Sequence, residues 1–138
     1  MAAPAGAGQI RRFHEGGSQE DEAGYSRAVR HGGLIAVSGT TCRPDLAAAG
    51  TGAQAADCLA RVVAAVERLG GSRSAIYRTR MFLAPGADWT QASAAHRDAL
   101  GDVAPANTTL YVQGLIGDGL LVEVEAEAWL GDKSAEPR

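Results

Sequence analysis

From Val122 to Leu130 the chain alternates apolar and polar side chains almost without exception. A period of two marks a β-strand, whose successive side chains point to opposite faces. The segment therefore predicts a strand from Leu120 to Leu130 in a sheet with two unlike sides. Val122, Val124, Ala126, Ala128 and Leu130 belong to a covered side, and Glu123, Glu125, Glu127 and Trp129 to the other. Asn107 to Leu115 reads as a second strand, with Leu110 and Val112 on the apolar face and Asn107, Thr109, Tyr111 and Gln113 opposite. Gly117-Asp118-Gly119 between them is a strong turn signal and predicts a closing hairpin.

Helices must cover the apolar face, and two are predicted. The first follows Thr51-Gly52-Ala53-Gln54, which has capping-box form. Leu59, Val62, Val63, Val66 and Leu69 then make one stripe at helical spacing, and Gly70-Gly71 ends it. The second starts at an Asp88 cap and runs to about Gly101. Ala75 to Leu83 between them is rich in strand formers. Upstream, Ile10 to His14, Ser26 to Arg30 and Leu34 to Ser38 read as short strands, with Glu15 to Gly24 and Thr40 to Gly50 as loops. Two strand–helix–strand crossovers place both helices on one face of one sheet. The expected organisation is a single α+β domain over residues 1–138, with its core at about 24–130 and tails at 1–8 and 132–138.

The other face mixes Tyr111 and Trp129 with carboxylates and amides, and Arg78 and Arg80 share one parity that can supply counter-charges. A solvated antiparallel face is one account of such a pattern. An oligomer interface or a ligand wall is the other.

Composition narrows the partners. The net charge of −3, scattered basic residues and 5% aromatics argue against a nucleic-acid surface. No apolar run approaches the roughly 20 residues needed to cross a bilayer, and nothing at Met1 to Gly8 looks like a secretion signal, so the cytoplasm is the expected location. Cys42, Cys58, His14, His31 and His96 lack metal-ligand spacing.

Five segments carry a resemblance: Gly24 to Val29, Val37 to Thr40, Tyr77 to Leu83, Pro105 to Thr108 and Val122 to Ala128. Together they resemble the Rid family, also called YjgF or endoribonuclease L-PSP. The resemblance implies a chorismate-mutase-like fold, one mixed sheet with two helices on one face, and a homotrimer with clefts between neighbouring subunits. It further implies hydrolysis of reactive imines and enamines to keto compounds and ammonia, without metal or organic cofactor. Tyr25 and Glu125 match the family's catalytic positions, and a water-positioning backbone carbonyl falls near Thr109. Ser38, Gly39, Asn107 and Thr108 match the substrate-binding positions.

Asn107 stands where the deaminase branch has an arginine that grips the substrate carboxylate. An amide cannot replace a guanidinium fork, so weak 2-imino-acid deamination is expected, unless another cation such as Arg80 takes its place. Three functions stay open: a hydrolase of imines or a related metabolite, a non-catalytic small-molecule binder, and the ribonuclease or translation inhibitor of the family's older name. Glu125 reads as a general acid/base or as a structural partner of Arg78 or Arg80. Tyr25 reads as a cleft wall or as packing with a wet hydroxyl. His96, four residues after Ala92, reads as a hydrogen-bonded core histidine; Cys58 reads as packing, and Cys42 is not read as a nucleophile.

Overall fold

The strand that comes last in sequence lies inside the sheet. The computed structural model describes residues 9–131, and the expected tails at 1–8 and 132–138 lie outside them. In chain order the elements are β1 (Ile10–Phe13), α1 (Ser18–Ala23), β2 (Ala28–His31), β3 (Leu34–Thr40), α2 (Thr51–Arg68), β4 (Ile76–Leu83), α3 (Trp89–Leu100), β5 (Ala106–Tyr111) and β6 (Val122–Trp129). They form one six-stranded sheet in the order β1-β2-β3-β6-β4-β5. β6 is antiparallel to both β3 and β4, whereas β4 and β5 are parallel. This is the expected mixed α+β sheet, with both long helices on one side.

The covered side follows the alternation. Val122, Val124, Ala126 and Ala128 are buried together with Ile35, Val37, Met81 and Leu83. α2 lays Ala55, Cys58, Leu59, Val62 and Val66 over them. Cys58 is fully buried, and burial pushes its thiol up to about 12, as suits a packing residue. Among the described residues no helix is long and apolar enough to cross a membrane.

Four local expectations are corrected. Gly117-Asp118-Gly119 does not close a hairpin, because β5 pairs with β4 alone and β6 inserts between β3 and β4. A turn signal shows that the chain bends, not which strand it bends toward. Thr51 and Gln54 do not form a capping box: Gly50 is the N-cap residue, and the Thr51 hydroxyl instead accepts from the Asp88 amide at 2.9 Å. Asp88 does cap α3, accepting from the amides of Thr90 and Gln91. Residues 15–24, expected as loop, contain α1. The fourth correction concerns β5. Its register sets Asn107, Thr109 and Tyr111 opposite Thr79, Met81 and Leu83, all buried, while Thr108 and Leu110 lie opposite Arg80 and Phe82. The polar residues therefore lie on the covered side and Leu110 on the open one. β5 is an edge strand at the rim of the helix layer, where hydrogen bonds from Asn107 and Tyr111 replace apolar packing.

Gln54 ties this frame together. Its fully buried amide donates toward the carbonyls of Ala47, Ala49 and Gly119 and accepts from the Leu121 amide at 2.8 Å. One side chain thus fixes both the loop before α2 and the loop leading into β6.

Candidate functional site

Tyr25 owes its position to α1. The buried Glu20 carboxylate accepts from the amides of Glu15 and Gly17, and the helix ends at Gly24 in the left-handed conformation, φ 73°. Burial alone raises a carboxyl pKa, but these amides, with His14 and Arg27, outweigh it and hold Glu20 below the ordinary range. The amides of Gly24 and Tyr25 both donate to the Glu20 carbonyl, which sets the Tyr25 ring beside the start of β2.

Two residues on, Arg27 reaches across to β3. Its Nη2 donates to the Gly39 carbonyl at 2.6 Å, and its guanidinium lies 5.7 Å from the Tyr25 ring centroid. Gly39 is available because β3 bulges. Val37 pairs with Ala126 and Thr40 with Val124, so Ser38 and Gly39 share the space opposite Glu125. The bulge turns the Gly39 carbonyl toward Arg27 and leaves its Cα against the Glu123 carboxylate, where any added Cβ would collide.

Tyr25, Arg27, Gly39 and Glu123 line one cavity of about 370 Å³, completed by Gln19, Glu22, Ala23, Thr41 and Ile116. Glu123 is half-buried there. Burial pushes its carboxyl above the ordinary range and Glu125 adds to the rise, while Arg27 opposes it. A carboxyl of raised pKa beside a ring, a guanidinium and a carbonyl can exchange protons with a small polar ligand. A polar groove adjoins this cavity, with Cys42 and Arg61 in its wall. Cys42 is buried, and desolvation with nearby Asp57 raises its thiol pKa, the reverse of what a thiolate nucleophile needs.

Of the residues expected at the site, Tyr25 and Gly39 line this cavity. The Ser38 hydroxyl instead donates to the Ser26 carbonyl at 2.7 Å. Glu125 accepts from Arg80 at 3.4 Å, a partly exposed pair on the open face. Asn107 donates to the Thr79 hydroxyl at 3.0 Å and accepts from Thr109 at 2.8 Å, and Thr79 also bonds His96 at 2.8 Å. Asn107 and Thr109 thus point to the covered side, away from Glu125, and Thr108 contacts Arg78 at 3.5 Å. β6 and β4 separate β5 from β3, which amounts to about 14 Å at ordinary strand spacing. Within one chain the expected site is therefore two groups at different places.

Arg27 and Glu123 were not singled out in the sequence. Glu123 has the same parity as Glu125, so choosing between them requires the position of the β3 bulge. The nearest signal for Arg27 is its spacing of two from Tyr25.

The overall fold is shared with known proteins. The chain belongs to the YjgF/Rid family, whose model, described as endoribonuclease L-PSP, matches residues 18–130. A YjgF family member from Mycobacterium tuberculosis is 35% identical, with a TM-score of 0.81 over 88% of this chain and 99% of that one. A protein of unknown function from Pseudomonas aeruginosa is 28% identical, with a TM-score of 0.78 over 94% and 99%. An uncharacterized protein of Streptomyces coelicolor is 34% identical over 125 residues, 88% of this chain and 93% of its own length.

Proposed function

We propose that this protein hydrolyses a reactive imine or enamine, or a related small metabolite, in the cavity formed by Tyr25, Arg27, Gly39 and Glu123. The observation that carries this reading is the Glu123 carboxyl, half-buried and of raised pKa, facing a cavity of small-molecule size. Protonated Glu123 gives its proton to the imine nitrogen as the oxygen of water bonds to the imine carbon. The carboxylate takes the surplus water proton and passes it to nitrogen; as the C–N bond breaks, the remaining hydroxyl proton returns to Glu123, leaving a carbonyl compound, ammonia and the protonated carboxyl.

The working unit in this reading is a homotrimer. Its support is the separation of Tyr25 and Gly39 from Thr108, which shares the open face with Arg80; a neighbouring copy across that face would close the gap. That face carries Arg78, Arg80, Glu125 and Glu127 in register, with Leu34 and Trp129 exposed, a mixture suited to an interface. Light scattering should give three times the chain mass; a monomer at micromolar concentration removes this part.

The test of activity is ammonia release when an imine-generating dehydratase is coupled to the protein. Release faster than the spontaneous rate, and lost in Glu123→Gln, supports hydrolysis. Stoichiometric binding without turnover supports the second reading, a metabolite binder, which rests on Asn107 in place of arginine. The family's ribonuclease description is opposed here by two carboxylates, Glu22 and Glu123, against one cation among the described residues of the wall.

A further inference from the structure

Arg11, Arg30 and Arg68 are scattered along the chain but meet at one corner of the fold, and none of them lines the cavity. Arg11 and Arg30 stand directly opposite each other on β1 and β2. The same cross-strand row continues through Ile35, Ala128 and Ile76, all buried under the helices. At its outer end two cations replace the apolar pair, and like charges in register cost stability unless a negative group lies between them. Arg30 is fixed: Nε donates to the Gly32 carbonyl at 2.7 Å and Nη1 to the Leu69 carbonyl, at the end of α2, at 2.8 Å. Gly70 follows in the left-handed conformation, φ 87°, and a Cβ added there would lie 2.8 Å from Nη1 of Arg30 and 3.9 Å from Nη1 of Arg11. Both guanidinium tips thus converge on the space that Gly70 leaves open. Arg68, in the last turn of α2, lies 4.9 Å from the centroid of the Phe13 ring. Among the described residues none of the three forms an ion pair. Glu67, beside Arg68, leaves the corner with a positive balance.

We propose that this corner binds a phosphate group from solution, as inorganic phosphate or a small phosphate monoester, bridged between Arg11 and Arg30 over Gly70. Two N–H donors aimed at one point suit a tetrahedral oxyanion, whose oxygens accept from each at about 2.8 Å. Charge selects the class. Phosphate on an ester carries about −1.5 to −2 at neutral pH, enough to remove the repulsion between two guanidiniums, whereas a monocarboxylate offsets only one. The negative end of the α2 dipole opposes an anion here, but Arg30 covers the Leu69 carbonyl and Arg68 supplies a further cation in the last turn. Arg30 is already immobilised by its two carbonyls, so it loses little side-chain entropy on binding. Arg11, whose side chain makes no hydrogen bond among the described residues, closes on the anion from the facing strand. The site is independent of the cavity and of imine hydrolysis.

Backbone and arginine side-chain NMR signals of the full chain, followed during titration at constant ionic strength, test the proposal. The probes are inorganic phosphate and glycerol phosphate, with acetate as the singly charged control. At least one phosphate should move the Gly70 amide and the Nε signals of Arg11 and Arg30 saturably, and which of the two binds more tightly separates a free-ion site from a monoester site. Acetate should bind about tenfold or more weakly, since a hydrogen bond to a charged group carries at least that factor. Arg11→Gln, which removes no hydrogen bond within the described chain, should weaken phosphate binding about tenfold or more. Arg11→Lys should keep part of the affinity, and Arg68→Gln should lose less than Arg11→Gln. Absence of saturable shifts with either phosphate, acetate bound as tightly, or undiminished binding in folded Arg11→Gln overturns the proposal. If Arg11→Gln fails to fold, the acetate comparison and Arg68→Gln decide. Phosphate binding that appears only with Asp132→Asn and Glu136→Gln would assign the corner to the chain's own carboxylates and overturn the proposal equally.

Discussion

The Glu123 carboxylate rests against the Cα of Gly39, with no room between them for a methyl group. Gly39 lacks a positive φ, so its glycine answers to this approach and not to backbone strain. Gly39→Ala should cost only about 1 kcal/mol of stability, because the end of a glutamate can swing aside. The displaced carboxylate should lower turnover far more than stability. Thermal unfolding set beside ammonia release separates the two effects, and equal retention of both would count against Glu123 as the acting group.

Glu123→Gln and Glu125→Gln should behave differently although both lie on one face of β6. The first should lower turnover roughly a hundredfold or more, as for loss of a general acid. The second loosens Arg80 and the open face, and turnover per folded chain should stay near wild type. Both are read in the same coupled assay.

Stability against pH offers a second view of Glu123. Its pKa is raised on folding, so just above the ordinary glutamate value of 4.5 the folded state holds more protons than the unfolded one. Stability therefore falls as pH rises through that window. Urea unfolding from pH 4 upward should show this slope flattened in Glu123→Gln.

These predictions draw on residues of very different legibility. The alternation from Val122 to Ala128, the stripe on α2 and the Asp88 cap could be read directly, because periodicity and cap chemistry are local. Partner choice could not. Gly117-Asp118-Gly119 resembles a hairpin turn, yet β6 crosses to lie between two strands it does not follow. The choice between Glu123 and Glu125 depends on one extra residue at Ser38–Gly39, and the side taken by Asn107 depends on β5 being an edge strand. Each is decided by the register of distant segments.

His96 provides a separate pH test, away from the cavity. Burial lowers its pKa below the ordinary 6.5, and Thr79 holds its Nε2 at 2.8 Å. The unfolded chain then binds a proton that the folded one refuses, so stability is lost as pH falls below about 6.5 toward the depressed value. His96→Gln should reduce that slope, and Asn107→Ala should cost about 0.5–1.5 kcal/mol for its bond to Thr79. Denaturant titrations at pH 5 and pH 7.5 measure both.

Gln54 makes the largest stability prediction. Gln54→Ala leaves the Leu121 amide and three loop carbonyls without their buried partner, a loss of about 3 kcal/mol or more at about 1–3 kcal/mol per orphaned group. Urea unfolding should show it. Because the same loop carries Ile116 to the cavity, turnover in the coupled assay should fall with it; a change confined to stability would detach the loop from the site.

The central place of β6 also bears on how the protein is made. A chain growing from its N-terminus completes β3 and β4 well before Val122 to Trp129 exists, and those strands have no neighbour in common until it does. Their facing edges remain open throughout that interval, a known route to mispairing between nascent chains. The sheet is sealed by the strand that comes last among the described ones, so the emergence of Val122 to Trp129 from the ribosome, not the early formation of α2, sets the moment at which the sheet can close.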